Sequence, residues 1–521
     1  MLSGYEPGPG YDELLGPDGS PWPITRGLWR HLQNLGPEAL VERQQAADRE
    51  IRSIGMTFQT TEGGDVVDRP WPFDVIPRIL ASSEWARIEE GLVQRLRALN
   101  LFIDDVYHEQ RAVQEGVVPS DIVMGSPNFR PECMGVDPPG GIWAHVCGSD
   151  LVRGEDGTVY VLEDNLRAPS GVSYVLENRM VAKHVFPELF RFYSIEPVDP
   201  YVGRLAELLS SLVPGRDPTM VVLTPGVHNA AYFEHAFLAQ QMGVELVEGR
   251  DLVVLEDDTV CMRTVGGLER VDVIYRRIDD MYLDPELWRR DSVIGVPGLL
   301  RAWRRGRVAL ASAPGAGVAD DKAVYPFVPG IIRFFLGEEP ILPNVTTWRC
   351  GDPADCRYVL ANLDALVVKP ANASGGYGVV IGPSAGSEAL ALVAQRIEQY
   401  PPNWVAQPVI PLSTMPTLCD GAVVSRHVDL RPFTLIGPDG AYVSAGGLTR
   451  VARNAGSLIV NSSQGGGSKD TWIVDATLVE VEEALAPPGL EDAAAPGRDD
   501  VPLVTAGVAP GPGPGTWESA Q

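Results

Sequence analysis

The sequence predicts a mixed α/β (α+β) chain of several domains, and three stretches carry that prediction. Met220–Leu255 reads as a βαβ unit: MVVLTPG is a buried-type strand ending in a Gly turn, Ala230–Met242 is a helix, and Val244–Glu248 and Leu252–Leu255 are strands. Ile142–Tyr174 reads as two strands about a turn at Glu155-Asp156-Gly157. Leu366–Gly382, LVVKPANASGGYGVVIG, reads as a hairpin with an over-long, glycine-rich tip. At 521 residues, length alone suggests about three domains.

The remaining elements follow in chain order. Residues 1–25 are rich in Gly, Pro and acid and are expected to form an extended arm. Leu28 to about Ile54 has a helical pattern broken near Gly36-Pro37, and Gly55–Pro72 reads as strand or loop with a turn at Gly63-Gly64. Ser82-Ser83-Glu84 starts an amphipathic helix running to about Val113, with Trp85, Ile88, Leu92, Leu96, Leu99 and Ile103 on one face. Val271–Arg276 is a strand. Ser387–Gln399 is a helix, and Trp404–Ile410, Val428–Phe433 and Ala441–Val451 are strands. Beyond about Ala484 the chain is Pro/Gly/Ala/acid-rich and expected to be disordered. The expected domains are the arm, a helical and metal-strand region over 26–198, a Rossmann-like unit over 199–310, a nucleotide-binding region over 311–483, and a tail over 484–521.

Composition narrows the function classes. The apolar fraction of 45% is that of a globular protein, and no run of eighteen apolar residues signals a membrane span. The first twenty residues have neither a basic n-region nor an apolar h-region, so no secretory signal is expected. The six cysteines form no C-x-x-C pair, and a reduced, cytoplasmic protein is expected. A net charge of −27 argues against nucleic acid or an anionic membrane as partner. Only four of the 42 basic residues are lysines: Lys183, Lys322, Lys369 and Lys469. Where arginine is the default cation, a retained lysine points to a job that a planar guanidinium cannot do. Three of the four lie in C-terminal segments that look like nucleotide chemistry.

The chemistry-bearing residues fall into few groups. Gly375, Gly376 and Gly378, with Ser374 and Tyr377, form a loop whose backbone N–H groups could close on phosphate oxygens, with Lys369 beside it as a point charge; an ordinary hairpin tip would look the same. Glu163 and Asn165 sit at i and i+2 on one strand face, with Asp150 on the paired strand. These are oxygen ligands of the kind Mg²⁺ takes, phosphates and water completing its shell. The strand Trp404–Ile410 could bond an adenine edge through its backbone at Gln407–Val409. His228, Asn229 and Glu234 lie near a helix start outside a strand end, where ligands bind, although capping explains Asn229 equally well. Arg276 and Arg277 could hold a carboxylate or pair with Asp279 and Asp280.

Together these stretches resemble the ATP-grasp superfamily, and more closely its circularly permuted branch related to the synthetase domain of glutathionylspermidine synthase. The resemblance runs from about Phe58 to Val474. It is carried by VLEDNLRAPSGVSYVLENR, LTPGVHNAAYFEHAFLA, GVADDKAVY, VVKPANASGGYG and NSSQGGGSKDTW. It implies a circularly permuted ATP-grasp fold with an inserted Rossmann-like domain, the metal-binding strands preceding both nucleotide lysines. It implies ATP as substrate, with Lys322 and Lys369 on its phosphates, Ser374–Gly378 covering them, and Asp150, Glu163 and Asn165 as Mg²⁺ ligands. Arg450, with Arg431 or Arg167, is expected to stabilise an acyl phosphate. One departure is that Gly148 stands two residues before Asp150, where the glutathionylspermidine synthases carry an arginine.

The implied reaction is ligation of a small-molecule or peptide carboxylate to an amine at the expense of ATP. It needs positive charge, positioning and water exclusion rather than an enzyme nucleophile. No counterpart of the amidase domain of the bifunctional synthases is expected here, so glutathione and spermidine are not assigned. Two other classes stay open at this point. One is an ATP-binding regulatory or scaffolding protein without turnover. The other is phosphoryl transfer to an acceptor other than a carboxylate, for which His145 and His427 are nearest the motifs.

Overall fold

The computed structural model describes residues 4–62, 65–372, 378–461 and 465–475, with side chains left out over 59–66. Three sheets position the candidate site. The largest has nine strands drawn from both ends of the chain. Its path runs Gly440–Val443, Phe433–Gly437, Val146–Arg153, Ala422–Arg431, Leu448–Val451, Gly467–Val474 and Phe73–Ala81. Val159–Asn165 pairs with Val146–Arg153, and Thr414–Cys419 with Ala422–Arg431. All neighbours are antiparallel except the last pair, Gly467–Val474 with Phe73–Ala81.

The second sheet is small and antiparallel: Trp348–Arg349, Trp404–Pro408, Leu366–Pro370 and Val380–Ile381. Helices Pro353–Ala361 and Ser387–Gln399 back it through a core of Val359, Leu366, Val368, Val393, Ile397 and Trp404. The third sheet is parallel, in the order Ala309–Ala311, Val273–Arg276, Met220–Thr224, Glu245–Glu248. Helix Tyr232–Met242 links its two strands Met220–Thr224 and Glu245–Glu248, as the βαβ reading requires. Leu252–Val254 leaves this sheet for a separate three-stranded antiparallel one.

Several local expectations shift for identifiable reasons. The long helix spans Ser82–Tyr107, starting without a side-chain cap. It stops early because Asp105 turns its carboxylate onto the N–H groups of Arg111 and Ala112, both at 2.9 Å, and so starts a new short helix instead. The first helix, Arg26–Ser53, is broken at Gly36, whose φ is 77°. Ala441–Val451 is two strands, interrupted at Gly446-Gly447. The expected turn at Gly63-Gly64 and the tail over 484–521 lie outside the described residues, as does the glycine loop from Ser374 to Tyr377.

The arm is extended but not free. Thr414 N–H donates to Tyr11 and Glu13 N–H to Thr414, both at 2.9 Å, so the arm lies along the large sheet. Leu14 and Leu15 are buried there. Glu13 enters the interior between Arg78 and Arg153 and accepts from Ser413 Oγ at 2.6 Å.

Candidate functional site

A cleft opens between the small sheet and the large one. Val367, Lys369, Pro370, Ile381, Gln407, Pro408 and Ile410 line it from the first; Asp150, Val152, Leu162, Glu163, Asp429 and Arg450 line it from the second. Lys322 and the run Leu458–Asn461 complete the walls. The small-sheet side is apolar apart from Lys369 and Gln407, and the carboxylates and Arg450 lie on the large-sheet floor. A cleft with one apolar slot and few convergent polar groups is the usual form of a small-molecule site.

Strand alternation sets the floor. Asp150 faces Glu163, and Gly148 faces Asn165, across one antiparallel pair. Directly opposed residues project to the same side, so the three expected magnesium ligands share a face. Asp164, between them, projects to the other side. There it accepts from Arg95 Nε at 2.8 Å and Ser149 Oγ at 2.8 Å, which locks the hairpin from behind. On the next two strands Asp429 faces Arg450, and Arg431 follows at i+2 from Asp429.

Asp150 is buried and takes three guanidinium bonds: Arg431 Nε at 2.5 Å and Nη2 at 2.8 Å, and Arg450 Nη2 at 2.8 Å. Arg450 also pairs with Asp429, through Nε at 2.8 Å and through Nη2. Burial alone would raise the Asp150 carboxyl; Arg431 and Arg450 overcome it and hold the group far below the usual carboxylate range. Asp429 shares only Arg450 and feels the charge of Asp150, and burial pushes it up.

The two lysines converge from separate segments. Lys369 is buried, and its Nζ donates to Gln407 Oε1 at 2.7 Å; Gln407 Nε2 donates on to Thr347 Oγ1 at 2.9 Å. Burial brings Lys369 down from 10.5 to about 8, assisted by Lys322 and opposed by Glu163 and Asp150. Lys322 pairs with Glu163 Oε2 at 3.2 Å, and its N–H donates to Ala371 at 3.0 Å. That backbone bond ties the Lys322 segment to the strand carrying Lys369.

The donor set fits a magnesium ion unevenly. Glu163 meets the Lys322 ammonium, and Asn165, which is not among the described lining residues, gives its amide nitrogen to Gly148 O at 3.1 Å. Both oxygens of Asp150 are held by guanidinium groups, so a metal would share them. Among the described residues no group of three or more His, Cys, Asp or Glu side chains is arranged for a metal; here an amide must serve as the third donor.

The remaining expected site residues separate clearly. Val409 is not among the described lining residues, while its neighbours Pro408 and Ile410 are. Gly378 is described, with φ at 76°; Ser374, Gly375, Gly376 and Tyr377 are not. Arg431 reaches Asp150 beneath the floor. Arg167 instead turns to the parallel-sheet side, bonding Asp320 and Asp279, each at 2.9 Å. Lys469 is buried against Asp74, Ile76 O and Pro416 O, a structural role rather than a nucleotide contact.

Arg276 pairs with Asp280 at 2.7 Å, and Arg277 with Glu234 at 2.8 Å. Glu234 also accepts from Gly171 N–H at 2.7 Å and Ser173 N–H at 3.1 Å, so it fastens the parallel-sheet unit to the loop following Asn165. Asn229 accepts from Ala231 N–H at 2.9 Å, as a turn residue would. His145 is fully buried, with burial bringing it down to about 3, and neither its imidazole nor that of His427 lines the cleft.

Asp429 is a charged site residue that the sequence analysis does not single out, although the Asp-x-Arg alternation in VDLRPF signals it. The departure at Gly148 has a structural counterpart: a Cβ there would stand 3.5 Å from Arg431 Cδ and 3.0 Å from Pro169 Cβ. The stem of Arg431 thus crosses over Gly148 to reach Asp150. A guanidinium still meets the aspartate, delivered from the neighbouring strand.

Comparison with known proteins identifies the family and the fold. Residues 77–452 match the family model described as circularly permuted ATP-grasp type 2. A Synechocystis sp. protein, named only as uncharacterized, is 52% identical over 92% of this chain and 99% of its own length. A Frankia casuarinae protein named as a candidate glutamate–cysteine ligase is 46% identical over 91% of this chain, which spans only 54% of that relative. A glutathione synthetase-like effector from Globodera pallida, solved in its apo form, superposes with a TM-score of 0.56 at 11% identity. The match covers 84% of this chain and 98% of that one, a likeness of fold.

Proposed function

This chain belongs to the circularly permuted ATP-grasp type 2 family, and we propose that it is an ATP- and Mg²⁺-dependent carboxylate–amine ligase working through an acyl phosphate. The observation that carries the reading is the convergence of Lys322, Lys369 and Arg450 with Asp150, Glu163 and Asp429 on one cleft with an apolar slot. Phosphoryl transfer asks little covalent chemistry of a protein and much positioning and charge stabilisation.

In this reading Val367, Ile381 and Ile410 flank the adenine, and the backbone beyond Gln407 meets its edge. Lys322 and Lys369 bind the α- and β-phosphates. Glu163 and Asn165, with Asp150 sharing an oxygen, would hold Mg²⁺, which supplies charge neutralisation on the phosphates. Arg450, braced between two carboxylates, faces the transferring group, and Arg431 keeps Asp150 ionised. An oxygen of the substrate carboxylate takes the γ-phosphoryl group as its bond to ADP breaks. The amine nitrogen then attacks the acyl carbon, the bond to phosphate breaks, and amide, ADP, orthophosphate and a proton are released. The Frankia relative's name describes acid-to-amine ligation, but this chain spans only 54% of that relative; the name supports the reaction class and leaves both substrates open.

The test is ADP release from ATP·Mg²⁺ across pairs of acids and amines. Release that requires both, and that falls at least 100-fold in Glu163→Gln with its melting temperature kept, is expected. Release independent of the amine would overturn the ligase in favour of phosphoryl transfer to another acceptor, and none with any pair would overturn it in favour of an ATP-binding protein without turnover.

A further inference from the structure

A second cavity lies beside the nucleotide cleft and takes no part in the mechanism above. Helix Arg26–Ser53 walls it with Ile51 and Arg52, the segment 69–74 with Trp71 and Phe73, and the large sheet with Ser468 and Arg453. Its place follows from strand register. Arg450, on the floor of the nucleotide cleft, is the direct partner of Ser468, which lines the second cavity. Opposed residues on one sheet face stand about 5 Å apart at Cβ. The two cavities therefore adjoin at the residue that faces the transferring phosphoryl group. The segment that follows connects them again: Ile459 lines the nucleotide cleft and a shallow groove, and Arg453 lines that groove and the second cavity.

Its chemistry is distinctive for so acidic a chain. The inner wall is aromatic: Trp71 is stacked on Tyr174 at 3.6 Å and held by Ser468 Oγ at 2.6 Å, with Phe73 beside it. Arg52 and Arg453 are both exposed, and neither has an acidic partner among the described residues. Of the two aspartates that line it, Asp74 is paired with Lys469 and Asp48 accepts from Gln44 Nε2 at 2.9 Å. Two exposed guanidinium groups over one aromatic-walled cavity, in a chain of net charge −27, mark a place for an anion.

We infer that this cavity receives the acid to be activated, and that the acid is polyanionic: a peptide or amino-acid derivative with a carboxylate beyond the reacting one. The reacting carboxylate reaches toward Arg450 while the distal carboxylate pairs with Arg52 and Arg453. The inference rests on the ligase reading for its direction of reaction but not for the binding itself.

Calorimetry of the full chain with ADP·Mg²⁺ present tests it, using triglutamate and trialanine as probes. Triglutamate is expected to bind at least tenfold more tightly than trialanine. The double variant Arg52→Ala/Arg453→Ala is expected to lose at least tenfold in triglutamate affinity with ADP affinity unchanged, and Arg52→Lys/Arg453→Lys to regain part of it. Absence of triglutamate binding, equal binding of the two peptides, or equal binding by the double alanine variant would each overturn the inference. Failure of the ligase reading is separable: triglutamate would bind in the arginine-dependent manner while no acid-and-amine-dependent ADP release is found.

Discussion

Lys369 donates to the neutral amide of Gln407 rather than to a carboxylate, and that choice of partner makes its charge negotiable. Burial brings it down to about 8, so near neutral pH it is protonated and above pH 8 it is progressively neutral. ATP phosphates favour the ammonium form, so the pKa rises in the complex, and binding takes up a proton wherever the free protein has lost one. Wild-type affinity for ATP should therefore fall as pH rises through about 8, about tenfold for each further unit until the complex itself titrates. Titration calorimetry from pH 7 to 9.5 checks this, with Lys369→Met expected to bind weakly and without that slope. The lysine was legible because it is one of four in the chain and ends a β-branched run. Asp429 has a local signal in the Asp-x-Arg alternation of VDLRPF, but its pairing with Arg450 and the crossing of Arg431 over Gly148 have none, because those partners come from strands far away in sequence and no local spacing records a cross-strand neighbour.

The arm over residues 4–25 shows how composition can mislead about an element. Gly, Pro and acid predicted extension, which is correct, but Glu13 in that arm is a buried acceptor. Burial alone would raise its carboxyl, yet Arg153, Arg78 and Ser413 outweigh that and hold it at about 2, against 4.5 for the free group. Its folded pKa is depressed, so its contribution is complete above about 4.5 and fades as pH falls toward 2. Replacing it leaves the buried guanidinium groups of Arg78 and Arg153 short of an acceptor, a loss of about 3–5 kcal/mol by analogy with broken buried pairs. Chemical denaturation of Glu13→Gln should show that loss at pH 7 and a flatter pH dependence between 4.5 and 2. An equally stable variant would mean that the arm merely rests on the sheet. Helices are legible where apolar residues recur every three to four positions, and so is the break at Gly36-Pro37; the end at Tyr107 is not, because Asp105 sets it through side-chain bonds to the backbone of the next turn.

Over the whole chain, the largest sheet explains why these motifs occur in this order. Val146–Arg153, carrying Asp150, is seated between strands from the far end of the chain, and the Lys322 and Lys369 segments meet Glu163 only when that sheet closes. The βαβ unit, the E-x-N face and the lysine before the glycine loop are each visible as local patterns; that Glu163 and Lys369 meet in one cleft was available only from the family resemblance. Sheet order is a non-local property, set by burial on two faces, and single-strand alternation does not encode it. The most direct measurement is a thermal-shift titration with ATP·Mg²⁺ on the wild-type chain beside Lys369→Ala. A ligand that binds only the native state raises the melting temperature as its concentration exceeds Kd. A concentration-dependent rise in wild type that is abolished in a folded Lys369→Ala is the predicted result. No rise in wild type, or the same rise in both, would contradict the assignment of this cleft to ATP.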